Sequence, residues 1–94
     1  MSISVTEFLK LPSEVPIIDI RSVEKYNDNH IPGARNIEFE SLIIKPELYI
    51  KKGITYYIYC QKGKVSINVC QILNRQGYQT VSIIGGYEEW VMKK

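Results

Sequence analysis

Three short apolar runs, each rich in β-branched or aromatic residues, constrain this chain most. They are Pro16-Ile17-Ile18-Asp19-Ile20, Ile54-Thr55-Tyr56-Tyr57-Ile58-Tyr59 and Thr80-Val81-Ser82-Ile83-Ile84. Runs of this length with little polar alternation read as strands covered on both faces, as in a parallel sheet. The stretches between them carry helical signals. Ser4-Val5-Thr6-Glu7 is a capping box that opens a short helix ending before Pro12. Ser22 caps a second helix to about Asp28. From Val65, the residues Val69, Ile72, Leu73 and Gln76 share one helical face with Ile67 and Cys70 beside it, and Gly77 ends the helix. Gly85-Gly86 stops the last strand, and Tyr87 to Met92 reads as a final helix. Ile31-Pro32-Gly33-Ala34 is a turn before a brief strand at Arg35-Asn36-Ile37, and Glu40 to Ile44 is a helical turn interrupted by Pro46. Strands alternating with helices predict an α/β fold with a mainly parallel sheet and helices on both faces.

The 94 residues suit one domain spanning 1–94, with no repeat or linker. A net charge of +2 is too small to point to nucleic acid or a membrane surface, and no apolar run is long enough to span a bilayer. The N-terminus carries no signal-peptide pattern. The expected compartment is therefore a reducing cytoplasm, in which Cys60 and Cys70 both remain free. One histidine and two separated cysteines make no metal site, and no cofactor is expected.

The chemistry concentrates at Cys60. It stands where the strongest strand ends and a helix is about to begin, the place where open α/β sheets bind ligands. Gln61-Lys62-Gly63-Lys64-Val65-Ser66 follows as a short polar loop. Gly63 lets the backbone curl so that successive N–H groups face inward as an anion nest. The next helix adds its positive end, and Lys62 and Lys64 add charge. These features favour a thiolate over a thiol and would hold a persulfide, whose terminal sulfur is anionic. The competing reading of Cys60 is a small buried apolar side chain. Cys70, on the helix, reads as a core thiol. His30 reads as a structural hydrogen-bonding residue of the turn, because an ionised thiolate needs no separate base.

Together these segments resemble a known family. Ile17-Ile18-Asp19-Ile20-Arg21, with Tyr26 and His30-Ile31-Pro32-Gly33-Ala34-Arg35-Asn36-Ile37, looks like the first signature of rhodanese domains. Ile58-Tyr59-Cys60-Gln61-Lys62-Gly63-Lys64-Val65-Ser66 resembles their active-site loop, and Gly77-Tyr78 to Val81 with Gly85-Gly86 and Trp90 resembles their closing segment. The resemblance implies a five-stranded sheet and a sulfurtransferase that moves sulfane sulfur through a Cys60 persulfide. The backbone from Gln61 to Ser66 would cradle that sulfur. Asp19 and Arg21 would support the surroundings, chiefly as a scaffolding ion pair. The implied partners are a sulfur donor such as thiosulfate or a persulfide, and a thiol, small redox protein or cyanide as acceptor. A monomer is expected. The loop departs from commoner family forms at Gln61 and Val65.

Two other functions compete with this reading. Phosphatases and arsenate reductases of related fold need a longer loop ending in an arginine that grips the oxyanion, and here the next arginine after Cys60 is Arg75. A non-catalytic binding module of the same fold is the alternative that a reactive Cys60 would exclude.

Overall fold

The strongest apolar run becomes the middle of the sheet. In the computed structural model, which describes residues 1–94, β4 (Thr55–Tyr59) lies between β2 (Ile17–Asp19) and β5 (Gln79–Ile83). The short edges are β3 (Arg35–Asn36) beside β2 and β1 (Ser2–Ile3) beside β5. The order is β1-β5-β4-β2-β3 and every pairing is parallel. The helices are α1 (Val5–Phe8), α2 (Val23–Asp28), α3 (Phe39–Ile44), α4 (Lys64–Arg75) and α5 (Gly86–Lys93), with a 3-10 turn at Pro46–Leu48.

The two-residue period of the strands divides the core into two layers. Ile18, Ile20, Tyr56, Ile58 and Cys60 pack on one face with Leu42 of α3 and Val69, Cys70 and Leu73 of α4. Ile17, Tyr59 and Ile83 pack on the other with Val5 and Phe8 of α1 and Trp90 of α5. The predicted caps form: Ser4 and Ser22 accept from the backbone N–H of Glu7 and Lys25.

Two expectations change. β1 carries no readable period because it is two residues long, and it forms only by pairing with β5. The buried stripe of α4 is Ser66, Val69, Cys70 and Leu73, whereas Val65, Ile67 and Ile72 are partly exposed. A serine inside the stripe hid its true orientation, since the apolar residues alone pointed the face about one position away. Ser66 turns inward because its hydroxyl meets polar atoms under the sheet end, described next.

Candidate active site

Cys60 follows directly on β4, at the carboxyl end of the parallel sheet, with its side chain on the α4 face. Its sulfur accepts from the backbone N–H of Gly63 at 3.1 Å and of Ser66 at 3.3 Å. Both N–H groups lie at the start of α4, where no carbonyl of the helix can reach them. The sulfur thus does the work of a helix cap. Gly63 permits this because it sits at φ +90°, in the left-handed region that a side chain disfavours. Ser66 Oγ lies 3.6 Å from Cys60 Sγ and 2.7 Å from Ser82 Oγ of β5, so two buried hydroxyls form a chain beneath the sulfur.

The start of α5 holds the loop from behind. Tyr87 N–H donates to the Cys60 carbonyl at 2.9 Å, and Glu88 N–H donates to the Gln61 carbonyl at 3.1 Å. Drawing these carbonyls toward α5 leaves the loop's own N–H groups free to face the sulfur. Gly86 makes the approach possible: a Cβ there would lie 2.8 Å from Gly63 N and 2.9 Å from the Gln61 carbonyl oxygen.

Asp19 and Arg21 form a buried ion pair. The guanidinium donates to Asp19 through Nε at 3.1 Å and Nη2 at 2.8 Å, and Nη2 also donates to the Asn29 carbonyl at 2.6 Å. Burial opposes the charge on Arg21, but the hydrogen bonds and charge of Asp19 outweigh it and raise the guanidinium pKa. Sequence reading missed the third member, Tyr59, whose hydroxyl donates to Asp19 Oδ2 at 2.6 Å and accepts from Ile31 N–H at 3.1 Å. The register was the available signal. Asp19 and Tyr59 are partners on adjacent strands, so their side chains share a face. Burial, reinforced by Asp19, pushes the Tyr59 phenol far up. Arg21 also stacks over the Tyr87 ring, 4.2 Å from its centroid.

A cleft of about 370 Å³ opens at Cys60, with Arg21, Gln61 and Val65 in its wall. Gly63 and Ser66 act from beneath through their N–H groups. Lys62 and Lys64, expected to bind substrate, are exposed and stand outside the cleft wall. The wall facing the loop comes instead from Ser22 and Lys25 at the start of α2 and from Glu38, Phe39 and Glu40, two segments that meet only in the fold. Two larger hollows, of about 520 and 550 Å³, open at the amino-terminal edge of the sheet and are lined by no cysteine. The chemistry therefore selects the smaller one. Cys70 is a buried free thiol whose pKa is pushed up by burial. His30 stacks on Tyr26, and its Nδ1 lies 2.9 Å from the Tyr26 carbonyl, one turn back in α2 rather than in the turn that follows.

A cysteine held by loop N–H groups at the end of a parallel five-stranded sheet defines a class. The chain belongs to the rhodanese-like domain family, whose model matches residues 4–93. Among curated relatives, the protein YtwF of Bacillus subtilis is 33% identical over 89% of this chain and 81% of its own length. The thiosulfate sulfurtransferase PspE of Escherichia coli is 32% identical over 82% and 75%. Among solved structures, the human single-domain sulfurtransferase TSTD1 superposes with a TM-score of 0.86 at 27% identity, covering 99% of this chain and 96% of that one. SSP1007 of Staphylococcus saprophyticus gives a TM-score of 0.85 at 34% identity, covering 95% and 91%. These relatives place the chain among rhodanese-type sulfurtransferases. No helix is long and apolar enough to cross a membrane.

Proposed function

We propose that Cys60 carries sulfane sulfur as a persulfide, taken from thiosulfate or another persulfide donor and passed to a thiol or cyanide acceptor. The observation that carries this reading is the convergence of Gly63 and Ser66 N–H groups on Cys60 Sγ at the floor of an open cleft. In the first step the Cys60 thiolate attacks the sulfane sulfur of the donor. With thiosulfate, the S–S bond breaks and sulfite leaves with the bonding electron pair. In the second step the acceptor thiolate attacks the outer sulfur of the persulfide, and Cys60 departs as thiolate. No net proton is needed in either step when the thiols are ionised.

Beneath the sulfur, Cys60 Sγ as a thiol donates to Ser66 Oγ at 3.6 Å, and Ser66 Oγ shares a 2.7 Å hydrogen bond with Ser82 Oγ. Hydroxyl hydrogens rotate, so in the thiolate or persulfide state Ser82 can donate to Ser66 and Ser66 to the anionic sulfur. Two buried free cysteines suit a reducing compartment such as the cytoplasm, where a small thiol or redox protein would be the acceptor.

Mass spectrometry tests the proposal. After exposure to thiosulfate or polysulfide, Cys60 should gain one sulfur atom that cyanide removes. No adduct with any donor, or the same adduct in Cys60→Ser, would leave the domain as a binding module.

A further inference from the structure

Gln61 holds both ends of its side-chain amide in charged partners. Oε1 accepts from Arg21 Nη1 at 3.1 Å, and Nε2 donates to Glu88 Oε2 at 3.3 Å. The orientation is unambiguous, because a guanidinium only donates and an ionised carboxylate only accepts. Arg21 has five N–H hydrogens. Nε is directed at Asp19, and the two on Nη2 go to Asp19 and the Asn29 carbonyl. Of the pair on Nη1, one meets Gln61 and the other has no protein acceptor. Arg21 lines the Cys60 cleft, yet its side chain is only 5% exposed. The charge at the base of the cleft is thus shielded by the Gln61 amide, which Glu88 holds in place.

We infer that Gln61 is a specificity-determining residue: by tying Arg21 Nη1 to Glu88 it withholds the guanidinium from oxyanion donors and biases Cys60 toward sulfane donors that carry no oxygen. This rests on the sulfur-transfer reading. The oxygens of thiosulfate require donors beyond the N–H groups that hold the sulfur. One Nη1 hydrogen has no protein acceptor, but with the Arg21 side chain only 5% exposed those oxygens reach it only if the Gln61 amide, anchored at its far end, moves aside. The opposite wall adds Glu38 and Glu40 against Lys25, while Asp19 already neutralises Arg21, so the oxygens of thiosulfate must rely on individual hydrogen-bond donors rather than on surplus charge. Inorganic polysulfide is also an anion, but it has no oxygen to place and so depends less on a donor at Arg21 Nη1.

The test uses the full chain with inorganic thiosulfate and inorganic polysulfide as donors and cyanide as acceptor. In Gln61→Ala, the ratio of kcat/KM for thiosulfate to that for polysulfide should rise about fivefold, mainly through the KM of thiosulfate, on the scale of one net hydrogen bond. In Gln61→Glu the ratio should fall, because the carboxylate grips Arg21 Nη1 more firmly and withholds it from the oxygens that only thiosulfate carries. Calorimetry of sulfite binding gives an independent reading: Cys60→Ser/Gln61→Ala should bind sulfite about fivefold tighter than Cys60→Ser. A merely structural Gln61 would slow both donors in parallel and leave the ratio unchanged, and that result, or sulfite binding that is unchanged or weaker, overturns the inference. If neither donor loads Cys60, the sulfur-transfer reading fails and the sulfite titration alone decides the role of Gln61.

Discussion

Replacing Gly63 by alanine, with Gly33→Ala as its partner experiment, separates backbone strain from the docking of α5 on the active-site loop. Both glycines have nearly the same backbone, φ +90° at Gly63 and φ +87° at Gly33. Forcing alanine into the left-handed region costs about 1–2 kcal/mol at either site. At Gly33 nothing lies within 4 Å of an added Cβ, so the cost stops there. At Gly63 the Cβ would stand 2.7 Å from Gly85 N and 3.2 Å from Gly85 Cα, both of them backbone atoms. One backbone must move, and overpacking of this kind adds about 1–3 kcal/mol. For a chain of this size each kcal/mol lowers Tm by about 4–8 °C, so Gly33→Ala should lose about 4–16 °C and Gly63→Ala on the order of 20 °C. The second consequence is chemical. Moving Gly63 pulls its N–H from Cys60 Sγ, and sulfur loading by polysulfide should slow by about tenfold, near the lower end of what one hydrogen bond to a charged atom contributes. Thermal unfolding and loading rates are to be read on both variants. If Gly63→Ala were no less stable than Gly33→Ala, or loaded sulfur at the wild-type rate, the account of a loop clamped by α5 would be wrong.

Alkaline stability should be set partly by Cys70 and Tyr59. Burial raises the folded pKa of Cys70 above its ordinary 9.0 and that of Tyr59 above 10.0, so above those values the unfolded chain loses protons that the folded chain keeps. Stability should therefore be whole below about pH 9 and decline as pH rises beyond it, and urea unfolding of Cys70→Ala should lack the earlier part of that decline. Tyr59→Phe leaves Ile31 N–H without its acceptor and removes one of the donors to Asp19, and should cost about 2–3 kcal/mol in chemical denaturation. Ser82→Ala removes the end of the hydroxyl chain. It should cost about 1 kcal/mol and slow Cys60 loading, and an unchanged loading rate would show the chain to be idle.

The sequence alone determined the alternation of strand and helix, the position of Cys60 at a strand end, and the curled loop around Gly63. These are local: β-branched runs, capping serines and glycine act through their own neighbours in the chain. It also paired Asp19 with Arg21, two residues apart on one segment. Only the tertiary structure decided what surrounds the sulfur. Ser82 lies sixteen residues beyond Ser66 yet touches its hydroxyl. Tyr59 reaches Asp19 across the register of two strands, and α5 meets the loop through backbone N–H groups that no side-chain pattern records. The lysines beside Gly63, the plainest charge signal in the loop, remain in solvent. Arg21, distant in sequence, stands in the cleft wall under Gln61. Parallel crossovers bring distant strand ends together, and the contacts made there depend on twist, register and helix rotation. A one-dimensional pattern of residue types holds only the local terms of that outcome.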